Sequence, residues 1–250
     1  MDQVRALCVL GAALCLSACA STTQVADSGF RPPEGNYRML VMQPDISVGV
    51  LTAGGAFEFR EDWTETARGH VINSLVKEQA RRGGEAKIAA TREETGADAT
   101  LVNDLVWLHQ SVGLAIKTHK YTPAQLPTKK NKFDWTLGDR AVEFGAATQY
   151  DYALFLHAQD SFSSGGRVAL QIMGALGCGF GVCVMPTGGQ QAAFASLVDL
   201  KTGKVVWFNT LISGAGDIRT PDGADKMVTT LLGKMKAGQG QDQRKTAKRT

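Results

Sequence analysis

No window of this 250-residue sequence pairs membrane-spanning length with the flanks of a permanent anchor, and no charge of one sign prevails. The apolar run from Ala6 to Leu16 is about half of the roughly 20 residues that a spanning helix needs. The formal net charge is only +3, and losing Asp2 and Arg5 together leaves it unchanged. With no stripe of aromatic and basic residues, nucleic acid is not an expected partner. The four histidines, His70, His109, His119 and His157, never fall in an HExxH pattern. There is no Gly-x-Ser-x-Gly elbow and no phosphate-binding glycine loop. Common hydrolase, metalloprotease and nucleotide-binding chemistries therefore lack their usual marks, and no catalytic residue, metal or cofactor is expected. What composition does support is a folded chain, with 44% hydrophobic and 20% charged residues.

The first nineteen residues have the order of a secretory signal: Arg5, then the short apolar run, then small residues. Leu16-Ser17-Ala18-Cys19 resembles the lipobox of bacterial lipoproteins. The resemblance implies that residues 1–18 are removed and that Cys19 carries the lipid, palmitate among its acyl chains. Two or more chains anchor a protein stably, whereas one does not. Ala20 follows the cysteine, and by analogy with enteric sorting this implies the outer membrane, facing the periplasm, with the inner membrane as the alternative. Residues 19–36 read as the lipidated N-terminus and a polar tether with Gly and Pro. Residues 37–237 read as one domain, and residues 238–250 as a disordered basic tail.

Within the domain, strands and helices alternate. Arg38–Gln43 reads as a buried strand closed by Pro44-Asp45. The alternation of Val48, Val50 and Thr52, then Gly54-Gly55, then Ala56–Arg60 reads as a short hairpin. A helix is expected from near Asp62, with Glu65 completing a capping box. Val71, Ile72, Leu75, Val76 and Gln79 should share its buried face, and Gly83-Gly84 should stop it. A second helix is expected over 100–117, an exposed loop with Lys129, Lys130 and Lys132 over 121–134, and a third helix over 137–149. Tyr152–Ala158 is the clearest core strand. Gln191–Leu200 and Lys204–Ile212 read as an antiparallel hairpin, with Gly203 in its turn and Trp207 and Phe208 on opposite faces. Thr220 and Pro221 open a last helix whose stripe is Ala224, Met227, Val228, Leu231, Leu232 and Met235. The fold class expected is α/β with an α+β tendency: one mixed sheet covered by helices, with a hairpin near the C-terminus.

The run Ala192–Trp207, with Asp199, the Thr202-Gly203 turn and Trp207, is similar to a pattern in envelope lipoproteins of the CsgG-like curli secretion and LpoB-like peptidoglycan synthase activator families. The resemblance implies a non-catalytic domain that binds envelope proteins or self-associates. Two alternatives stay open: a lipid-anchored periplasmic hydrolase, drawn around His157, Asp160 and Ser161 or around His109, and a subunit of a secretion or pore assembly.

The segment Leu170–Pro186 is uncharged and has four glycines, Gly174, Gly177, Gly179 and Gly181. It is expected to be a buried or partner-covered hairpin or helix. Self-association or docking, through Leu170, Ile172, Met173, Leu176, Phe180 and Val182, and membrane insertion are the alternatives. With Cys8 and Cys15 in the signal and Cys19 lipidated, Cys178 and Cys183 are the thiols that remain. A disulfide closing a small loop and two buried free thiols both stand open.

Overall fold

The computed structural model describes residues 37–82, 86–129, 132–179, 181, 183, 186–212 and 216–235, and the backbone of 22–27. The signal segment, Cys19, Gly83-Gly84, Phe180, Val182 and the basic tail lie outside the described residues.

Eight strands form one mixed sheet: β1 (Thr22–Asp27), β2 (Met39–Val41), β3 (Asp45–Leu51), β4 (Phe57–Phe59), β5 (Ala86–Ile88), β6 (Tyr152–Ser163), β7 (Gln191–Asp199) and β8 (Lys204–Ile212). Five helices accompany them: α1 (Glu61–Arg82), α2 (Ala99–Tyr121), α3 (Asp139–Thr148), α4 (Gly165–Gly179) and α5 (Pro221–Leu232). The order across the sheet is β1-β8-β7-β6-β2-β5. β3 runs on from β2 along the same edge of β6, and β4 pairs with the outer edge of β3. β2 and β3 are parallel to β6, β5 is parallel to β2, and the hairpin β7–β8 is antiparallel to its neighbours. This is the mixed, helix-covered α/β sheet that the alternating pattern implies.

β6 organises the interior because both its faces are buried. Leu154, Leu156 and Ala158 join the core under α1 and α5, where Val71, Leu75, Met227 and Leu231 meet Trp207 and Leu211. Ala153 and Phe155 join the opposite core, where Leu105, Ile116 and Phe144 from α2 and α3 meet Phe194 and Phe208. Trp207 and Phe208 thus enter different cores, as strand alternation requires. Each fully buried side chain of this size contributes about 1.5–3 kcal/mol.

Several boundaries differ from the sequence reading, each for a physical reason. The buried face of α1 is Thr64, Ala67, Val71, Ser74, Leu75 and Glu78, while Val76 is exposed. The stripe is centred one position from where the aliphatic residues placed it, because small and polar residues pack closest to the sheet. α2 runs to Tyr121, whose ring stacks near Phe208, so the loop begins later. Asp98 caps α2, accepting from the Thr100 and Leu101 amides at 2.8 and 3.3 Å. β6 continues to Ser163, five residues past the expected end, because β3 and β7 supply hydrogen-bonding partners there. Residues 22–27, read as part of a tether, form β1 on the outer edge of β8. Backbone pairing recruits a polar segment to an open edge regardless of its hydrophobicity. Lys129 folds back onto Asp134 at 2.9 Å rather than standing free.

Where the expectations agree with the structure, the local chemistry explains it. Gly203 takes φ +69 in the hairpin turn, and Asp199 Oδ1 accepts from the Lys201 amide at 2.8 Å. Thr220 caps α5 by accepting from the Gly223 amide at 3.1 Å.

Gly113 marks the closest approach of α2 to the sheet: a Cβ built there would overlap the Phe194 ring. Gly113→Ala is therefore expected to destabilise the domain by about 1–3 kcal/mol despite its better helix propensity, read as a lowered urea midpoint.

Candidate functional site

Three places in the fold hold unusual chemistry: the α4 protrusion, a buried pair of histidines, and a carboxylate at the upper end of the sheet.

α4 begins where β6 ends. The Ser164 amide donates to Leu51 O at 3.0 Å, and Ser164 Oγ accepts from the Arg167 amide at 3.2 Å, which caps the helix. Arg167 is buried. Its Nε donates to Thr187 O at 2.6 Å, one terminal nitrogen donates to Thr52 O at 3.1 Å, and the other to Thr187 Oγ1 at 3.2 Å. One turn on, Gln171 Nε2 donates to Pro186 O at 3.3 Å. These bonds fix the first half of the helix to the β3–β4 turn and to the irregular segment returning toward β7. The remainder presents its side chains outward, with Ile172, Met173 and Leu176 at 57, 68 and 59% exposure and Val168 and Leu170 also exposed. Of the buried or partner-covered hairpin or helix expected from the sequence, residues 170–179 are helix, and their large apolar side chains lie outside the cores of this chain, open to solvent. Gly174, Gly177 and Gly179 lie within the helix in spite of their cost. Beyond it the Cys178 and Cys183 sulfurs are bonded, with Cα atoms 4.1 Å apart. The link closes a small loop, between residues five positions apart, at the C-terminal end of the helix.

The histidines lie in the core under α2. His157 Nδ1 is 2.8 Å from Asp45 Oδ2, the two residues being direct partners across parallel strands. His109 Nε2 is 3.0 Å from Ser196 Oγ. Phe194 sits between them, 4.9 Å from the His157 ring and 5.2 Å from the His109 ring, and Phe155 stacks on His109 at 5.0 Å. Carboxylate, imidazole and hydroxyl are all present, yet they form two separate pairs with a benzene ring between them. Ser196 and His109 are sealed from solvent. The trio drawn from sequence, His157, Asp160 and Ser161, is not assembled either, because His157 and Asp160 point to opposite faces of β6. Burial drives the His109 imidazole down to about 3, with His157 lowering it further and Asp45 acting the other way. His109 is neutral at any physiological pH. For Asp45, burial works to raise the carboxyl, but the hydrogen bond and charge of His157 hold it below its ordinary value.

On the other face Asp160 is buried and accepts from Gln191 Nε2 at 3.0 Å. Gln191 also donates to Gly216 O at 2.7 Å. Nearby, Asp217 grips Arg219 from below while its guanidinium lies 3.6 Å from the Phe162 ring centre and 4.3 Å from that of Trp63. Together they pin the segment before α5 onto the sheet. Burial pushes the Asp160 carboxyl up to about 6, against the hydrogen bonds from Gln191 and the Ile218 amide.

No protein-family model matches this chain, and no curated protein matches it. Among solved structures, it is similar to a variant PelC dodecamer from Paraburkholderia phytofirmans at 15% identity, covering 87% of this chain and 99% of that one with a TM-score of 0.40. A second crystal form of the PelC dodecamer gives 14% identity, coverages of 85 and 96%, and 0.38. The LpoB C-terminal domain from Salmonella enterica gives 16% identity, coverages of 70 and 82%, and 0.24. With TM-scores below 0.5, none of these likenesses carries an argument about role.

Among the described residues no cluster of His, Cys, Asp and Glu is placed to hold a metal, and no helix is long and apolar enough to cross a membrane. Sequence reading passed over Asp45, taken for a turn, and Ser196, Trp63, Phe162 and Arg219. Asp45 follows Pro44 in a turn-like pair, and nothing local shows that β3 starts there.

The two buried groups predict opposite pH responses. His109 binds its proton less tightly folded than unfolded, so its contribution is full above about 6.5 and is lost as pH falls toward 3. His109→Gln, which keeps a partner for Ser196, should flatten the acid loss of the urea midpoint. Asp160 binds its proton more tightly folded, so stability falls as pH rises from 3.8 to about 6. Asp160→Asn should raise the melting temperature at neutral pH and do little at pH about 4.

Proposed function

We propose that this chain is an envelope lipoprotein, held by lipid on Cys19, whose α/β domain works in the periplasm at the outer membrane by binding and assembly rather than by catalysis. The observation that carries the reading is α4. A soluble domain with two well-filled cores leaves five large apolar side chains of one helix open to water, from Val168 to Leu176. Contiguous apolar surface of this kind marks a contact for a partner or a membrane. Arg167 holds the helix in place with bonds to both flanking segments, so the exposure is built into the fold. Its position also fits the lipobox reading, because β1 starts at Thr22, three residues after Cys19, opposite Ile212 at the end of the sheet from which α4 emerges.

The same protrusion supports a second reading, that of a subunit in a secretion or pore assembly. There the helix would contribute to contacts between subunits. The hydrolase alternative gains less, because His109 and Ser196 are enclosed and, among the described residues, no hydroxyl is hydrogen-bonded to the Asp45–His157 pair.

The test uses native cells and the full chain. Metabolic labelling with an alkyne palmitate should mark the wild type and not Cys19→Ser, and the wild type should fractionate with the outer membrane. Crosslinking in the same cells should recover envelope proteins or a second copy, and deletion of residues 170–186 should abolish that recovery while lipidation persists. An unlabelled wild type in the soluble fraction, or recovery unaffected by the deletion, would overturn the proposal.

A further inference from the structure

The two faces of the sheet are not covered to the same height. Beneath α1 and α5, β6 stays enclosed as far as Asp160, and Phe162 beyond it lies under Trp63 and Arg219. On the opposite face α2 crosses obliquely, from His109 beside Phe155 to Tyr121 beside Phe208. Beyond it runs a lateral row, Ser47, Gln159, Ala192 and Ile212, in register across β3, β6, β7 and β8. Along this row Gln159 and Ile212 are exposed, Ile212 to 48%, and Ser47 and Ala192 are half-buried. The next row adds Gly49 and Phe59, with Phe59 at 56%. None of these side chains is charged.

α4 rises from the same end of the sheet, but it cannot cover this patch in its own chain. Arg167 and Gln171 hold it against Thr52, Pro186 and Thr187. Its fifteen residues measure about 22 Å at 1.5 Å per residue. Four adjacent strands, with three spacings of about 4.8 Å, set the outer backbones about 14 Å apart, within the length of the helix.

We propose that α4 of one copy packs on the Ser47–Ile212 patch of a second copy. This rests on the reading of α4 as an interaction element and names what that element binds. A helix without a sheet meets a sheet end without a helix, the layer pairing from which domains are built. Neither the row nor the exposed face of α4 carries a charge of its own, and the nearest charged groups, Lys117 over the Phe194 ring and Asp45 bonded to His157, lie at the adjacent row. A bilayer is the poorer occupant. Helices that lie in a membrane interface carry Lys or Arg along their polar face, whereas the one cation of α4, Arg167, is buried and committed to carbonyls. Donor and acceptor are different surfaces, so copies either exchange helices about a two-fold axis or pass them around a ring.

The test uses the full-length lipidated protein in mild detergent, followed by sedimentation velocity. Ile172→Glu and, separately, Ile212→Lys should each raise the dissociation constant of the assembly by at least about tenfold. The double variant, with opposite charges facing each other, should recover part of the loss, which a misfolded protein would not do. Trp107→Glu, a charge on an exposed residue elsewhere, should leave assembly intact. A photocrosslinker at Met173 should label peptides containing Phe59 or Ile212 of another copy. The proposal fails if the wild type is monomeric at all concentrations, or if Ile212→Lys assembles normally. It also fails if Met173 labels lipid, another protein or its own chain. A monomeric wild type that still carries lipid and still recovers envelope proteins in cells overturns this inference alone and leaves the proposed function standing.

Discussion

Everything in this molecule is arranged around the double burial of β6. A strand with one wet face needs one helical cover, but β6 sends alternate side chains into two separate cores. Its edges are equally committed, to β7 on one side and to β2 and then β3 on the other. A one-residue slip would exchange the two sets of side chains and place His157 among aliphatic groups and Leu156 against Asp45. Register, helix placement and the setting of both buried ionisable groups all follow from that one strand.

The polar groups of the interior fit that arrangement. His109 and Ser196 satisfy each other under α2, and Asp45 satisfies His157 across two strands. Buried polar groups of this kind are costly unless paired, so they act to hold one register among many compact alternatives. Histidine, carboxylate and serine lie close together here without forming a relay, because Phe194 occupies the space between the two pairs. Proximity of catalytic residue types is a weaker statement than their connection.

The exposed helix is the counterpart of this filled interior. A domain that closes both of its cores has no internal need for Ile172, Met173 or Leu176, and their exposure goes against the hydrophobic driving force. The bonds of Arg167 and the Cys178–Cys183 link hold the helix and its return in a shape that the apolar residues alone would not keep. The surface lies at the end of the sheet opposite the β7–β8 turn, where α2 no longer covers the strands.

From the sequence alone, the alternation of β7 and β8, the turn at Asp199 and Gly203, the cap at Thr220 and the stripe of α5 were all legible. These depend on residues two to four positions apart, and the chemistry of turns and caps is local. The mixed, helix-covered sheet followed from their order. What tertiary structure decided was everything carried by contacts distant in the chain. Pairing with β8 turned residues 22–27 into a strand. The approach of β3 to β6 made Asp45 a partner for His157, 112 residues away. The uncharged segment 170–186 had a composition suited equally to core, interface or membrane, since apolarity alone does not say what will cover it. Anchoring of its first turn by Thr52 and Thr187 placed it outside the two cores, and no local pattern encodes that.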